Sequence, residues 1–401
     1  MKACFLVANH PPEAWGGTEQ VVVALARELR GLGVEVVVVS GSDEPHAGVD
    51  VLREEFAGVV VHRLPKRPDE WDRQGFVRPR LHALVRALLA QERPDVLHVH
   101  SSASLGLGLA PLARELGIPV VATFHDLWTT CARYFRLPAA GVTCPTGAER
   151  EPCVRCVAAD VGLPADAVRA ALAERDRLVR AEVAAAGALT APSATAARFV
   201  RECLPCAQPI EVVPHGLLRA VAAADRAAPP QPGERLRVGT FGGLVAEKGV
   251  VELLDAVAGL PVELRLSGRV YHAELAARIA SAQRAGVDVR VHGPYTPADR
   301  HPARDLHLAV FPSKCQETYG LVVDEALAHG VPVVCSDAGA LAERRRRGGV
   351  VVTPLAGLSA ALAELVVSPA RLAALRAAIP AALPTIAASA ARHLAIYRSL
   401  S

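Results

Sequence analysis

Glu317 and Glu325 stand with seven residues between them, in the stretch Phe311-Pro312-Ser313-Lys314-Cys315-Gln316-Glu317-Thr318-Tyr319-Gly320-Leu321 and onward. An ionised carboxylate only accepts hydrogen bonds, so such a pair suits a ligand rich in hydroxyls, a sugar or the vicinal diol of a ribose. Gly320 lies between them where a helical pattern opens. Free backbone N–H groups at a helix start favour an anion, and a glycine there lets a phosphate come close. Lys248 follows the glycine-rich run Gly239-Thr240-Phe241-Gly242-Gly243, and an ammonium there can neutralise charge growing on a leaving phosphate. His125, in Thr123-Phe124-His125-Asp126, ends an apolar run and can hydrogen-bond a hydroxyl or stabilise developing charge. Gly16-Gly17 permit close approach to the helix that starts beside them. Each signal also has a plain reading: a spacing any helix shows, a solvated lysine, a strand-end histidine, a tight turn.

These residues need elements to hold them. In the first half, Lys2–Ala8, Val34–Ser40, Val59–Leu64, Val96–Val99, Val120–Phe124 and Leu189–Ala191 read as strands. Between the first two, Val22, Leu25, Ala26 and Leu29 form an apolar stripe at helical spacing over about Thr18 to Arg30, ended by Gly31 and Gly33. Strands apolar throughout, alternating with helices, predict a parallel sheet covered on both faces. Ala222 to Gly233 is rich in alanine and proline, as a linker or surface loop would be. The alternation then restarts with Leu236–Phe241, Val262–Ser267, Val287–His292, Leu306–Phe311, Val331–Cys335 and Val350–Val352, and the chain closes in a helix over Ala388 to Leu400. The expected class is α/β with two doubly wound parallel sheets: a first domain over 1–213, a second over 214–385, and a final helix over 386–401. In open sheets of this kind ligands sit beyond the carboxyl ends of the strands. Every residue singled out above follows a predicted strand.

The stretch Pro312 to Val334 resembles glycosyltransferase family 4, whose retaining members have the GT-B architecture of two Rossmann-like domains facing a central cleft. The family's Glu-x7-Glu element runs on as Glu-Ala-x-Ala-x-Gly-x-Pro-Val-Val, and Glu325-Ala326-Leu327-Ala328-His329-Gly330-Val331-Pro332-Val333-Val334 matches it. The resemblance implies that Glu317 and the amides of Thr318, Tyr319, Gly320 and Leu321 hold the donor sugar and diphosphate. It gives Glu325 the ribose, and it sets Lys248 beside Gly242 and Gly243 against the leaving diphosphate. Gly16 and Gly17 resemble the family's glycine-rich loop after the first strand, and His125 a histidine that faces the donor sugar. His98 and His100, whose spacing otherwise suggests a metal pair, fall in a strand motif seen widely in the family. One position departs: many members carry an arginine five residues before the lysine, where this chain has Gly243. The diphosphate is then left to Lys248 and amides, or to another base such as Arg269.

The implied activity is transfer of a sugar, with retention, from a nucleotide diphosphate sugar to a saccharide, lipid-linked or small-molecule acceptor. No protein-bound metal, no cofactor beyond the co-substrate and no side-chain base are implied. Domain closure would bring Gly16, Gly17 and His125 onto a donor held by Lys248, Glu317 and Glu325 and exclude water, and the final helix would cross back onto the first domain. The rival readings are a GT-B epimerase or phosphorylase, and a catalytically silent binding protein on the same fold. Only Gly243 favours the last.

Bulk properties narrow the classes. With 401 residues, 51% apolar and 21% charged, the chain can fill two cores. A net charge of +3 and 4% aromatics argue against a nucleic-acid binder. The basic run Arg344 to Arg347 reads first as a solvated helix end, and second as a contact for an anionic ligand or lipid surface. The opening apolar run is too short for a signal peptide or a membrane span. A cytoplasmic protein is expected, with a peripheral contact at the inner membrane face only for a lipid-linked acceptor. The nine cysteines are expected to be reduced. Cys131, Cys144, Cys153 and Cys156 mark an insertion over about 131–156 that ends in Cys-x-x-Cys. Reduced or transiently oxidised thiols are the first expectation there, and tetrahedral structural zinc the second. Cys203 and Cys206 form another Cys-x-x-Cys pair, for which a redox role is the alternative.

Overall fold

Strands that are apolar on both faces need helices above and below them, and the chain builds two such sheets. The computed structural model describes residues 1–46, 48–73, 75–101, 103–145, 147, 149–206 and 208–400. It divides into two units, residues 1–218 with 385–401, and residues 219–384.

In the first unit the elements run β1 (Lys2–Val7), α1 (Gly17–Gly31), β2 (Glu35–Ser42), β3 (Leu52–Phe56), β4 (Val59–Pro65), α2 (Pro79–Glu92), β5 (Val96–Val99), α3 (Leu109–Glu115) and β6 (Val120–Thr123). They continue with α4 (Glu151–Val161), α5 (Ala165–Ala185), β7 (Ala188–Ala191), α6 (Ala194–Cys203) and β8 (Ile210–Val212). The eight-stranded sheet has the order β3-β4-β2-β1-β5-β6-β7-β8. It is parallel except for β3, which pairs antiparallel with β4. Leu6, Val39, Leu97, Val120 and Leu189 anchor its core against helices that include α2, α3, α5 and α6. Two strands, β3 and β8, were not expected from the sequence. β3 is an edge strand reading Leu-Arg-Glu-Glu-Phe, with no residue fully buried, and β8 has three residues.

The second unit carries β9 (Leu236–Phe241), α7 (Val250–Ala256), β10 (Val262–Ser267), α8 (Ala273–Arg284), β11 (Val289–Gly293), β12 (Leu308–Phe311), α9 (Leu321–Ala328), β13 (Val333–Cys335), β14 (Val350–Val352), α10 (Leu358–Val367) and α11 (Pro369–Ala377). Its six strands are all parallel, in the order β11-β10-β9-β12-β13-β14. The alanine- and proline-rich stretch is a surface loop of this unit, pinned where the Ala227 amide donates to the His329 carbonyl at 2.8 Å.

The last helix, α12 (Ile386–Leu400), belongs to the first unit. Its Ile386 amide donates to Leu217 O at 3.0 Å, and its Tyr397 is fully buried. The boundary thus falls after Leu218 rather than at the expected 213, because His215 is buried within the first unit. No single helix among the described residues is long and apolar enough to cross a membrane.

Strand order fixes where ligands can sit. In each sheet the winding direction reverses once: β1 lies between β2 and β5, and β9 between β10 and β12. The loops leaving neighbouring strands at such a point go to opposite faces and leave a crevice. The loops in question follow β1, β5, β9 and β12.

Candidate active site

In the second unit the loops after β9 and β12 are tied together. The amides of Lys314 and Cys315 both donate to the Glu247 carbonyl, at 2.9 and 3.2 Å. Gly249 makes this contact sterically feasible, since a Cβ there would lie 1.8 Å from the Pro312 carbonyl oxygen. The result is that Lys248 Nζ donates to Glu317 Oε1 at 2.6 Å, and Ser313 Oγ donates to the same oxygen at 2.7 Å. Burial opposes the charge on Lys248, but the Glu317 carboxylate outweighs it and holds the pKa above the usual lysine value. The ammonium therefore stays charged, with 39% of its side chain open to solvent. The Glu317 backbone is fixed as well, through a bridge to Gly339 and a 2.8 Å bond from the Ala340 amide to its carbonyl.

Gly320 follows in the left-handed region, φ 82°, and starts α9, whose first turn no side chain caps. Arg344, read from sequence as part of a solvated helix end, is instead buried. It grips Asp324 with two bonds of 3.0 and 3.1 Å and donates to the Tyr319 carbonyl at 3.2 Å. Arg347 joins the same carboxylate. The two cations thus clamp the start of α9 to the segment around Arg344, while Arg345 and Arg346 stay exposed. One helical turn past Leu321, Glu325 lies beside aromatic groups. His301 Nε2 is 3.8 Å from Glu325 Oε2, and its ring stacks on His329 at 4.3 Å and packs edge-on against Phe241 and Tyr295. Burial and then the Glu325 charge push the Tyr295 hydroxyl far above its usual pKa. Ser313, Asp324, Arg344, Tyr295 and His301 were not picked out as site residues. Ser313 and Asp324 lie inside the quoted motif and Arg344 in the basic run already noted, whereas Tyr295 and His301 carried no signal in the sequence.

In the first unit His125 is part of a buried chain of imidazoles. Its Nε2 meets His100 Nδ1 at 2.8 Å, and its Nδ1 meets His215 Nε2 at 3.2 Å. His98 lies tilted beside His100 with ring centres 3.8 Å apart, bonds Tyr397 Oη at 2.6 Å and Thr123 Oγ1 at 2.7 Å, and lies 5.1 Å from His393. Burial, then neighbouring imidazoles, hold His98, His100, His125 and His215 well below the usual histidine pKa, so all are neutral. A neutral imidazole has one donor and one acceptor, and both nitrogens of His125 are engaged. It reaches a sugar hydroxyl only by sharing or giving up one of these bonds. Gly16 caps α1, and the Glu19 carboxylate folds back onto it, lying 2.4 Å from where a Gly16 Cβ would be. Gly17 is the first residue of that helix.

Known proteins decide what this arrangement belongs to. Residues 15–217 match the model of Glycosyltransferase Family 4, and residues 235–368 that of Glycosyl transferases group 1. The chain belongs to glycosyltransferase family 4. It is 28% identical to a GDP-mannose-dependent α-mannosyltransferase of Mycolicibacterium smegmatis, over 84% of this chain and 80% of that one. It is 30% identical to a D-inositol 3-phosphate glycosyltransferase of Catenulispora acidiphila, over 96% and 91%. Among solved structures it resembles sucrose-phosphate synthase from Thermosynechococcus elongatus, with TM-score 0.71, 19% identity and coverage of 100% and 99%. It also resembles Anabaena HepE in complex with UDP and glucose, with TM-score 0.64, 17% identity and full coverage of both chains. The fold is that of the GT-B glycosyltransferases, and the protein is a glycosyltransferase of EC class 2.4.

For a family 4 enzyme, Gly243 is the position to inspect. It is exposed, and a Cβ there would meet only Tyr271, at 3.7 Å. Arg269 shares the Tyr271 neighbour. Its carbonyl accepts the Leu244 amide at 3.0 Å, and its guanidinium lies 5.9 Å from the centre of the Tyr271 ring.

Among the described residues no group of three or more His, Cys, Asp or Glu is placed to hold a metal ion. Two thiols of the insertion have protein partners. Cys156 Sγ accepts from the Arg133 guanidinium at 3.3 Å and the Ala139 amide at 3.2 Å, and Cys144 donates to the Arg136 carbonyl at 3.5 Å. Cys203 accepts from Arg136 at 3.1 Å. All nine are free thiols.

Proposed function

We propose that this family 4 enzyme is a retaining transferase that takes a hexose from a nucleoside diphosphate sugar, with GDP-mannose the first donor to test. The observation that carries the reading is the Lys248–Glu317 pair at the β9/β12 crossover point, beside the uncapped start of α9. A charged ammonium and open helix amides suit a diphosphate. Glu317 and Glu325 suit the hydroxyls of sugar and ribose, and Arg269 takes the place of the arginine that Gly243 lacks. Two relatives named GDP-mannose-dependent mannosyltransferases support the choice of donor.

In the reaction the acceptor oxygen bonds the sugar's anomeric carbon as the bond from that carbon to the diphosphate oxygen breaks. The departing phosphate oxygen takes the hydroxyl proton, so no side chain is assigned as base and none as metal ligand.

The test is thermal stability against GDP, UDP, ADP and their sugars, repeated with Glu325→Ala. A ligand that binds only the folded state raises the melting temperature. The expected result is a shift with GDP-mannose that Glu325→Ala abolishes. No shift with any nucleotide would return the chain to the silent binding protein.

A further inference from the structure

The cysteine-rich insertion presents an aromatic ledge for which the donor site has no use. Tyr134 and Phe135 are 41% and 40% exposed, and Tyr134 is held in the left-handed region, φ 66°, as is Arg136 at 46°. Such strain persists only where the surroundings over-determine it, and here they do. The Tyr134 amide donates to Cys131 O at 3.0 Å, Arg133 pairs with Asp160 at 2.9 Å, and Arg136 is buried against Cys203 and the Pro145 carbonyl. The Tyr134 ring stands 6.3 Å from that of Trp128, which is backed by the buried Arg175 guanidinium at 4.7 Å.

The Trp128 amide donates to Asp126 at 2.9 Å. Behind these two lies a cavity of about 50 Å³, which His100, His125 and Thr129 also line. Two polar atoms there have no protein partner, His100 Nε2, in a side chain 2% exposed, and Thr129 Oγ1. That volume exceeds what one water needs and admits a hydroxyl arm. Glu19 lies close enough to Asp126 for the two charges to interact, and burial, then that interaction, hold its carboxyl above the usual range. Of the cations in the neighbourhood, Lys66 is paired with Asn9 and Asp43, while Arg175 shares the Asp176 carboxylate with Arg150, keeps two unpartnered nitrogens and is buried against the Trp128 ring.

We propose that this ledge is the acceptor subsite, and that it takes an uncharged saccharide or polyol ring stacked on Trp128 and Tyr134 with hydroxyls on Asp126 and in the cavity behind it. The assignment rests on the transferase reading above. Aromatic faces bind the C–H face of a sugar, and carboxylates accept its hydroxyls. A phosphorylated acceptor would meet Asp126 and Glu19, while the nearby cation, Arg175, is 2% exposed and covered by the Trp128 ring.

The test uses the full-length protein with GDP-mannose as donor and three acceptor probes: methyl α-D-mannoside, myo-inositol and D-myo-inositol 3-phosphate. Acceptor KM and tryptophan fluorescence are read in wild type, Asp126→Asn and Tyr134→Ala, the last at an exposed position that leaves the core intact. A neutral probe is expected to bind, the phosphate ester at least about tenfold more weakly. Tyr134→Ala is expected to raise the neutral probe's KM by about tenfold, the loss of one stacking contact. Nucleotide-induced thermal shifts should stay unchanged in both variants. A preference for the phosphate ester, no response to either neutral probe, or an unchanged acceptor KM in both variants would overturn the ledge while leaving the donor site standing. Loss of the nucleotide shift in wild type would instead remove the transferase reading on which the ledge depends.

Discussion

Lys248 is the residue on which the donor chemistry turns, because its charge is fixed by Glu317 while part of its side chain stays open. Lys248→Met should lower kcat by about 10²–10³, the usual loss for one electrostatic contact to developing charge. Its melting temperature should hardly move, since neither the β9 strand nor α7 depends on the ammonium. Steady-state kinetics with the donor of the thermal screen checks this. The buried histidines make a second expectation. Their folded pKa values lie below the unfolded value of 6.5, with His393 held down to about 4. The unfolded chain therefore takes up protons first, and stability present above about pH 6.5 drains away as the pH falls toward 4. Each such histidine adds to the loss in the same direction. Asp126, Glu19 and Glu182, raised by burial, act in the opposite sense, but they are fewer. Urea midpoints at pH 7.5 and 5 should differ clearly, and equal midpoints would mean that the cluster is not neutral in the folded protein. Of these residues, Lys248, Glu317, Glu325 and His125 were legible because they stand in motifs. Arg344 was not: its partner Asp324 is twenty positions away and looks like any helical acid until the chain folds.

At the scale of elements, α3 shows how a helix start can be closed from elsewhere in the chain. Gly108 caps it with φ 105° and no side chain, and the Glu182 carboxylate on α5 accepts the amides of Gly108, Leu109 and Ala110 instead. Glu182→Gln removes the charge and turns one acceptor into a donor facing donors, so it should destabilise the first unit by about 1–3 kcal/mol. Chemical denaturation measures it, and a neutral substitution would show that the carboxylate is not the cap. No local signal pointed to this bond, which spans more than seventy positions. The parallel strands were legible because burial on both faces leaves a continuous apolar run. β3 escaped because an edge strand alternates polar residues toward water, and β8 because three residues hold no period. The zinc alternative for the insertion rested on spacing alone, and spacing says nothing of the arginines and amides that reach Cys156 and Cys203.

At the scale of the whole molecule, the first unit is discontinuous: residues 1–218 are completed by 385–401, with the second unit between them. α12 carries the buried Tyr397 and His393 into the imidazole chain and packs along α1. Deleting residues 385–401 should lower the first unit's melting transition and open it to protease, while the second unit keeps its transition and its nucleotide-induced shift. Calorimetry with limited proteolysis separates the two. An undisturbed first unit would mean that α12 contributes little. The same discontinuity orders events during synthesis. When residue 218 has left the ribosome, the first sheet can pair, but His98 and the face of α1 still lack their cover. They wait through the making of 166 further residues, 219–384, before α12 arrives. A nascent chain of this protein leaves that face of α1 and the His98 ring without their partner helix for as long as the second unit takes to be made.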